Sequence, residues 1–307
     1  MSKGSRTLLS GLLAAGLLAP RPAPAAEIAV VLSSDVPAWR PAVEALRTAV
    51  PGHNVTTYDL HGSRAEADRL LEGLKGSAAV VVAMGPLAAQ ATREVAADLP
   101  LVYTMVSDPA GLGSLEGPNV TGVAFDLPAR NQLVAFRTVN PKATRIGVVF
   151  NAASLSKPME DARRSASALR LELVVRQAAT LQAVPQVVRD LLAGPQPVDA
   201  LWIPPDPMLM GEATRRFVIE AAVRAGKPVY SSSASMVKEG ALVGSSPEFV
   251  SIGHSVGDLV NRITRGEKAG RLGVVVPRAE LVINKKIADQ LRVAIPEEAL
   301  KAAQRVF

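Results

Sequence analysis

The chain has 307 residues, of which 48% are hydrophobic and 20% are charged, and its formal net charge is +6. This composition is typical of a globular protein, and the length allows two domains of ordinary size. The sequence contains no cysteine, which excludes disulfides, cysteine-ligated zinc, a thiol nucleophile and a lipid-modified cysteine.

The first 26 residues have the features of a cleaved secretory signal. Lys3 and Arg6 precede an apolar run over residues 7–19, and small residues follow, with cleavage expected after Ala25 or Ala26. A membrane anchor is the competing interpretation, but the run is shorter than the ~20 apolar residues that span a bilayer. We therefore expect a secreted chain without stable membrane insertion.

Removing this segment lowers the formal net charge from +6 to +3. No basic run is interleaved with aromatic residues, so the sequence does not predict nucleic-acid binding.

The remaining chain alternates strand and helix patterns in two series. In the first, strands are predicted over residues 27–32, 54–60, 77–85, 99–106 and 120–126, and helices over 38–50, 64–75 and 87–98. A helix over 128–140 leads to the second series. There, strands are predicted over 145–150, 171–178, 200–204, 227–231 and 240–246, with helices over 159–170, 183–194, 212–226 and roughly 249–266. Strands without polar alternation, separated by helices, indicate two doubly wound lobes with parallel sheets.

Six of these strands end in small or polar residues. The ends are SSD (33–35), MGP (84–86), SDP (107–109), NAAS (151–154), PDP (205–207) and SSS (231–233). Open α/β sheets bind ligands outside the carboxyl ends of their strands, where helix N-termini offer N–H groups and partial positive charge. The pattern favours a small ligand with an anionic group, while a cationic group would need Asp108 or Asp206. A helix cap is the simpler interpretation of any single end.

No other motif in the sequence predicts a cofactor-binding or catalytic site. The glycines over residues 111–117 resemble a dinucleotide loop but precede Pro118, and S-x-x-K at 154–157 and 235–238 lacks its companion motifs. The histidines are scattered, and no nucleophile with a base can be assembled. We therefore predict no catalysis, no cofactor and no metal. Trp39 and Trp202 lie beside strand ends, where core packing is expected although either could line a pocket.

Several stretches together carry a family resemblance, namely residues 80–111, 117–123, 140–154, 199–209 and 279–300. The most specific are Ser107-Asp108-Pro109 and the tail containing ELVIN and IP. In this order they resemble ABC transporter substrate-binding proteins of the periplasmic type 1 fold, in the group with tryptophan- and tyrosine-binding members.

The resemblance implies a ligand cleft between two lobes that close on binding. The lobes would be residues 27–126 joined by about 248–275, and 127–247 joined by about 276–307. It implies a small-molecule ligand, a membrane permease or sensor as partner, and a monomer. Hydroxyls and helix amides would hold an amino acid's carboxylate, and an Asp its ammonium. The implied lining residues are Ser34, Asp35, Met84, Gly85, Ser107, Asp108, Asn151, Ser154, Pro205, Asp206, Ser231, Ser232 and Ser233.

The chain also departs from the family pattern. It has SSS and GSSPEF where relatives tend to have Tyr-Gly, and the helix after Phe249 lacks the usual tyrosines. These departures leave two alternatives open. One is a binding protein for an apolar or other ligand that serves a sensor or non-ABC system. The other is a periplasmic enzyme with Asp108 or Asp206 as general base.

Overall fold

The structure is a computed structural model that describes residues 25–107, 109–113, 115–206 and 208–307, without the side chains of residues 152–157. Strands and helices alternate along most of this chain. The strands are β1 (Glu27–Leu32), β2 (Asn54–Asp59), β3 (Val80–Met84), β4 (Leu101–Thr104), β5 (Val120–Val123), β6 (Arg145–Phe150), β7 (Glu172–Gln177), β8 (Ala200–Ile203), β9 (Val229–Ser231), β10 (Val243–Pro247), β11 (Val274–Val275), β12 (Ala279–Ile283) and β13 (Arg305–Val306).

The α-helices separate these strands and cover the sheets. They are α1 (Arg40–Ala49), α2 (Arg64–Leu74), α3 (Pro86–Val95), α4 (Ala129–Val139), α5 (Ala152–Ala168), α6 (Val184–Ala193), α7 (Glu212–Arg224), α8 (Ala234–Lys238), α9 (Phe249–Thr264), α10 (Lys285–Gln290) and α11 (Glu297–Ala302). Within the described ranges, no helix has both the length and the apolar character needed to cross a membrane.

The strands form two sheets that repeat one topology. The first has the order β11-β5-β4-β3-β1-β2 and the second β13-β12-β10-β9-β8-β6-β7. Read from the other side, β2-β1-β3-β4-β5 and β7-β6-β8-β9-β10 are the same doubly wound order. The predicted α/β architecture with two mainly parallel sheets is therefore confirmed. One pair differs from a purely parallel sheet, because β12 pairs antiparallel with β10.

The first sheet buries a different set of alternate side chains on each face. Ile28 and Val30 of β1 pack in one cluster with α1 and α9, whereas Ala29 and Val31 pack in another with α2 and α3. The second sheet is covered in the same way, by α4, α5, α10 and α11 on one face and α6, α7 and α8 on the other. Helices thus cover both faces of each sheet, which explains the nearly continuous apolar sequences of the strands.

Three short segments connect the sheets: residues 124–128 after β5, Glu248 after β10, and residues 276–278 after β11. The first and third leave the carboxyl end of a first-sheet strand. Glu248 leaves the carboxyl end of β10, and antiparallel β12 starts at that same edge. Hydrogen bonds join the segments, from Ala124 N–H to the Val275 carbonyl at 2.8 Å and from Glu248 N–H to the Arg278 carbonyl at 2.9 Å. The crossovers therefore tie the carboxyl edges of the two sheets together.

Candidate functional site

Each sheet has a topological switch point, where successive connections run in opposite directions from a central strand. It lies between β1 and β3 in the first sheet and between β6 and β8 in the second. Open α/β sheets bind ligands in the crevice outside the carboxyl ends of such strands. The predicted site residues at these two points are Ser34, Asp35, Met84 and Gly85, and Asn151, Ser154, Pro205 and Asp206.

At the first switch point, Ser33 and Gly85 hold the ends of β1 and β3 together. The Ser33 N–H donates to the Met84 carbonyl at 2.8 Å, and Ser33 Oγ accepts from the Ala88 N–H at 3.0 Å. Gly85 has a φ of +95°, and a Cβ there would lie 2.6 Å from Ser33 Oγ and 3.1 Å from Trp39 Cη2. Only glycine fits this backbone and this close approach. The Trp39 ring therefore lies beside the main chain of Gly85, which has no side chain.

The other predicted residues at this point have different environments. Ser34 is half-buried, and its hydroxyl has no hydrogen-bond partner among the described residues. Asp35 is exposed and bonds Arg40 at 2.7 Å, and this hydrogen bond raises the pKa of the Arg40 guanidinium. The Met84 side chain is fully buried in the core cluster that faces α1 and α9. Ser34 is thus available to a ligand, whereas Met84 packs inside.

The second switch point is built around a buried carboxylate. Asp206 is 0% exposed. Its Oδ2 accepts from the Asn151 N–H at 2.6 Å and its Oδ1 from the Met208 N–H at 2.9 Å. Charge-assisted bonds of this kind are strong, and they tie the end of β6 to the loop after β8. Asp206 therefore bonds the protein's own amides in this form.

The other predicted residues at the second switch point are Asn151, Pro205 and Ser154. The Asn151 Nδ2 lies 3.8 Å from Met208 Sδ, and Pro205 is half-buried beside Asp206. Ser154 lies in the first turn of α5, but its side chain is outside the described part of the structure.

The end of β4 carries two unusual features. Thr104 is fully buried, and its Oγ1 finds no hydrogen-bond partner among the described residues. Met105 follows with a φ of +58°, a left-handed conformation that is costly for a side chain of this size. Ser107 is exposed two residues later, while Asp108 lies outside the described residues.

The three serines after β9 separate into three roles. Ser231 is fully buried, and its hydroxyl bonds the carbonyls of Ser233 at 2.8 Å and Val243 at 3.3 Å. Ser233 caps α8, accepting from the Ser235 N–H at 3.2 Å. Ser232 is half-buried, with no hydroxyl partner in the described ranges. Of the three, Ser232 is the one left for a ligand.

Three aromatic side chains lie at the carboxyl edge of the first sheet, and two of them were not among the predicted site residues or pocket candidates. Phe125 follows β5 and Phe249 begins α9, and their ring centroids lie 6.4 Å apart. Together with Trp39 they pack, half-buried, against the core cluster beneath. By contrast, Trp202 is buried, and its Nε1 donates to Gln132 Oε1 at 3.2 Å. Trp202 is a core residue, as its apolar strand suggested.

A recess of about 630 Å³ opens at the opposite, amino edge of the first sheet. There His53 Nδ1 accepts from the Ala26 N–H at 3.2 Å, and His53 Nε2 lies 3.3 Å from Thr264 Oγ1. This recess is remote from both switch points. In the part of the chain that is described, no cluster of three or more His, Asp or Glu side chains could hold a metal ion.

Comparison with known proteins gives one family. Residues 53–307 match the family model for ABC transporter substrate binding protein. The chain is 27% identical to the tyrosine-binding protein of Clostridioides difficile (strain R20291) over 243 residues, which cover 73% of this chain and 69% of that one.

Solved structures share the fold. One is a substrate-binding protein with adhesive properties from Clostridium difficile in its ligand-free, open form, with a TM-score of 0.78 and 20% identity over 92% of this chain and 99% of that one. Another is the ABC domain in complex with L-Trp from Streptococcus pneumonia, with a TM-score of 0.64 and 23% identity over 92% and 100% of the two chains.

Proposed function

Because the chain belongs to the ABC transporter substrate-binding protein family, as its resemblance indicated, we propose that it captures a small molecule between two lobes and delivers it to a membrane transporter. The lobes of this proposal are the first sheet with α1, α2, α3 and α9, and the second sheet with the remaining helices. Capture is followed by closure about the crossovers, and the closed form is what the membrane partner recognises.

The observation that carries this proposal is the position of the crossovers. All three join the carboxyl edges of the two sheets, and each of those edges contains a switch point. A hinge made of a few residues allows the two edges to approach each other, and a ligand between them contacts both. Ser34, Ser107 and Ser232, all exposed or half-buried, are the hydroxyls proposed to meet it.

The ligand of this proposal is an amino acid with an aromatic side chain. Similarity to a tyrosine-binding protein supports this class. So do the half-buried rings of Trp39, Phe125 and Phe249 at the first sheet's carboxyl edge, since aromatic pairs add about 0.5–1.5 kcal/mol beyond burial.

The described carboxylates at the site offer little to bind the ammonium group of an amino acid. Asp35 is paired with Arg40, and both oxygens of Asp206 accept main-chain N–H bonds. This favours, as a second candidate, a ligand that has no ammonium group. The same contacts disfavour Asp206 as a general base, and we therefore assign no catalytic step.

Location and assembly form part of the proposal. The signal-like pattern over residues 1–26 supports export from the cytoplasm, and membership of this family supports the periplasm as its destination. A monomer that meets a permease, rather than a stable oligomer, suits a carrier that diffuses between ligand and membrane.

Isothermal titration calorimetry of the chain from residue 26 onward tests the proposal, with L-tyrosine, L-tryptophan, indole-3-propionate and L-alanine as separate titrants. Binding of the two aromatic amino acids is expected, with Trp39→Ala weakening it at least tenfold. Leu181→Ala, on an exposed residue of the second lobe, is the matched control and should bind as the wild type does. Binding of indole-3-propionate alone selects the second candidate. No heat with any titrant, together with no thermal shift, contradicts the proposed ligand class.

A further inference from the structure

The carboxyl end of β4 has two energetically unfavourable features, a buried hydroxyl without a partner and a non-glycine residue with a positive φ. Ser33, Ser231 and Asp206 are all buried at strand ends, and each has internal hydrogen-bond partners. Thr104 Oγ1 is equally buried and has none among the described residues. A buried hydroxyl without a partner is costly, so each such case needs an explanation.

The next residue adds a second, independent cost. Met105 has a φ of +58° and is only 3% exposed. Non-glycine residues in this region persist where the surroundings impose them, and they cluster at ligand-binding sites. The Thr104 carbonyl accepts from the Gly85 N–H at 2.9 Å, which connects this strand end to the first switch point.

The position of Thr104 within the sheet shows what lies around its side chain. Thr104 pairs in register with Met84, whose side chain belongs to the core cluster that faces α1 and α9. Trp39, Phe125 and Phe249 pack half-buried against that same cluster at its carboxyl end. The hydroxyl thus lies at the carboxyl end of β4, on the face of the sheet that carries this cluster.

We propose that Thr104 is a ligand-contacting, specificity-determining residue, whose hydroxyl has no partner among the described residues and forms a hydrogen bond to a polar group of the bound ligand. This inference rests on the proposed function. Because Thr104 is fully buried, side chains at the carboxyl edge must move to let the ligand reach this hydroxyl. An apolar molecule of the same size gains no such bond, so Thr104 selects for a polar group at this depth.

The test compares Thr104→Val with Thr121→Val in the chain from residue 26 onward. Thr121 lies on the neighbouring strand β5, is 2% exposed, and donates from Oγ1 to the Gly273 carbonyl at 2.5 Å. Both changes replace a buried hydroxyl by a methyl group, but only the second breaks a bond that exists without ligand. Thermal unfolding of the unliganded variants is measured first, and titration with L-tyrosine and L-tryptophan follows.

Unliganded Thr104→Val is expected to melt at or about 2 °C above the wild type, and Thr121→Val several degrees below it. The affinity of Thr104→Val for the amino acid that the wild type binds is expected to fall roughly five- to fifteenfold, with Thr104→Ser restoring most of it. Thr121→Val should change affinity less than twofold.

Two results would overturn the inference. One is a lower melting temperature for unliganded Thr104→Val, because the hydroxyl would then have a partner without ligand. The other is an affinity of Thr104→Val within twofold of the wild type. If the wild type binds neither amino acid, the proposed ligand class fails separately, and the melting temperatures alone then decide whether the hydroxyl is unpaired.

Discussion

Replacing Gly253 by alanine should separate α9 from α1 and destabilise the protein. A Cβ at this position would overlap the Ala42 carbonyl oxygen and lie 2.7 Å from Ala45 Cβ. Carbon atoms in contact are normally about 3.5–4.0 Å apart, so the helices must part by about 1 Å. A gap of that size forfeits up to about half of the attraction between the facing atoms.

The size of the effect follows from two opposed terms. Overpacking costs about 1–3 kcal/mol, and the upper end applies because the nearest obstacle is main chain that cannot rotate away. Alanine regains up to about 1 kcal/mol of helix propensity relative to glycine. The net loss is about 2 kcal/mol, which lowers the melting temperature by about 4–8 °C.

Gly73 supplies the matched control for this measurement. It lies in α2, where a Cβ would meet nothing within 4 Å, so Gly73→Ala keeps the propensity gain without the clash. Gly73→Ala should therefore melt slightly above the wild type. Thermal unfolding followed by circular dichroism compares the two variants. If Gly253→Ala melts as high as Gly73→Ala, the close approach of α1 and α9 is wrong.

A neighbouring glycine distinguishes a main-chain clash from a side-chain clash. At Gly257 the added Cβ would overlap Ala49 Cβ, which is a side-chain atom that can be removed. Gly257→Ala should be largely rescued by Ala49→Gly, apart from the propensity cost of the new glycine. No substitution of Ala42 can rescue Gly253→Ala in this way, because its carbonyl remains.

Three further outcomes are expected. Asp206→Asn should cost about 1–3 kcal/mol of unfolding free energy in urea titrations, because one of the two main-chain N–H groups bonded to the buried carboxylate then faces an amide nitrogen, whereas Asp35→Asn should stay within about 0.5 kcal/mol. Gly85→Ala should destabilise by about 2 kcal/mol or more and should not be rescued by Ser33→Ala, since the φ of +95° remains unfavourable for alanine. Hydrogen bonds from Gln90 and Arg64 lower the pKa of Glu94. Its contribution is therefore present at neutral pH and lost as the pH falls through that lowered pKa, and Arg64→Met should raise the pKa measured by NMR titration.

Much of the fold could be predicted because buried parallel strands leave a strong signal. The predicted strand over residues 145–150 coincides with β6, and that over 27–32 with β1. The predicted strand over 77–85 is longer than β3, because residues 77–79 are small and apolar enough to suit a strand although β3 begins at Val80. No strand was predicted where β12 lies, and its antiparallel pairing with β10 was therefore missed as well.

The candidate site was predictable as a set of strand ends, but the role of each residue was not. Side chains alternate along a strand, so a shift of one residue exchanges the buried and open positions. The hydroxyl that caps α3 belongs to Ser33, while the open one belongs to Ser34. In the same way Ser231 is buried and Ser232 is not.

A cap and a ligand contact also need the same chemistry, because both place an oxygen near main-chain N–H groups. What separates them is whether the folded chain already supplies the partner. Among the described residues, Asp206 has two such partners, the main-chain N–H groups of Asn151 and Met208. Thr104 has none among the described residues, although nothing in the sequence distinguishes it from an ordinary strand threonine. An unpaired buried hydroxyl therefore adds a candidate ligand contact that the pattern of strand ends does not contain.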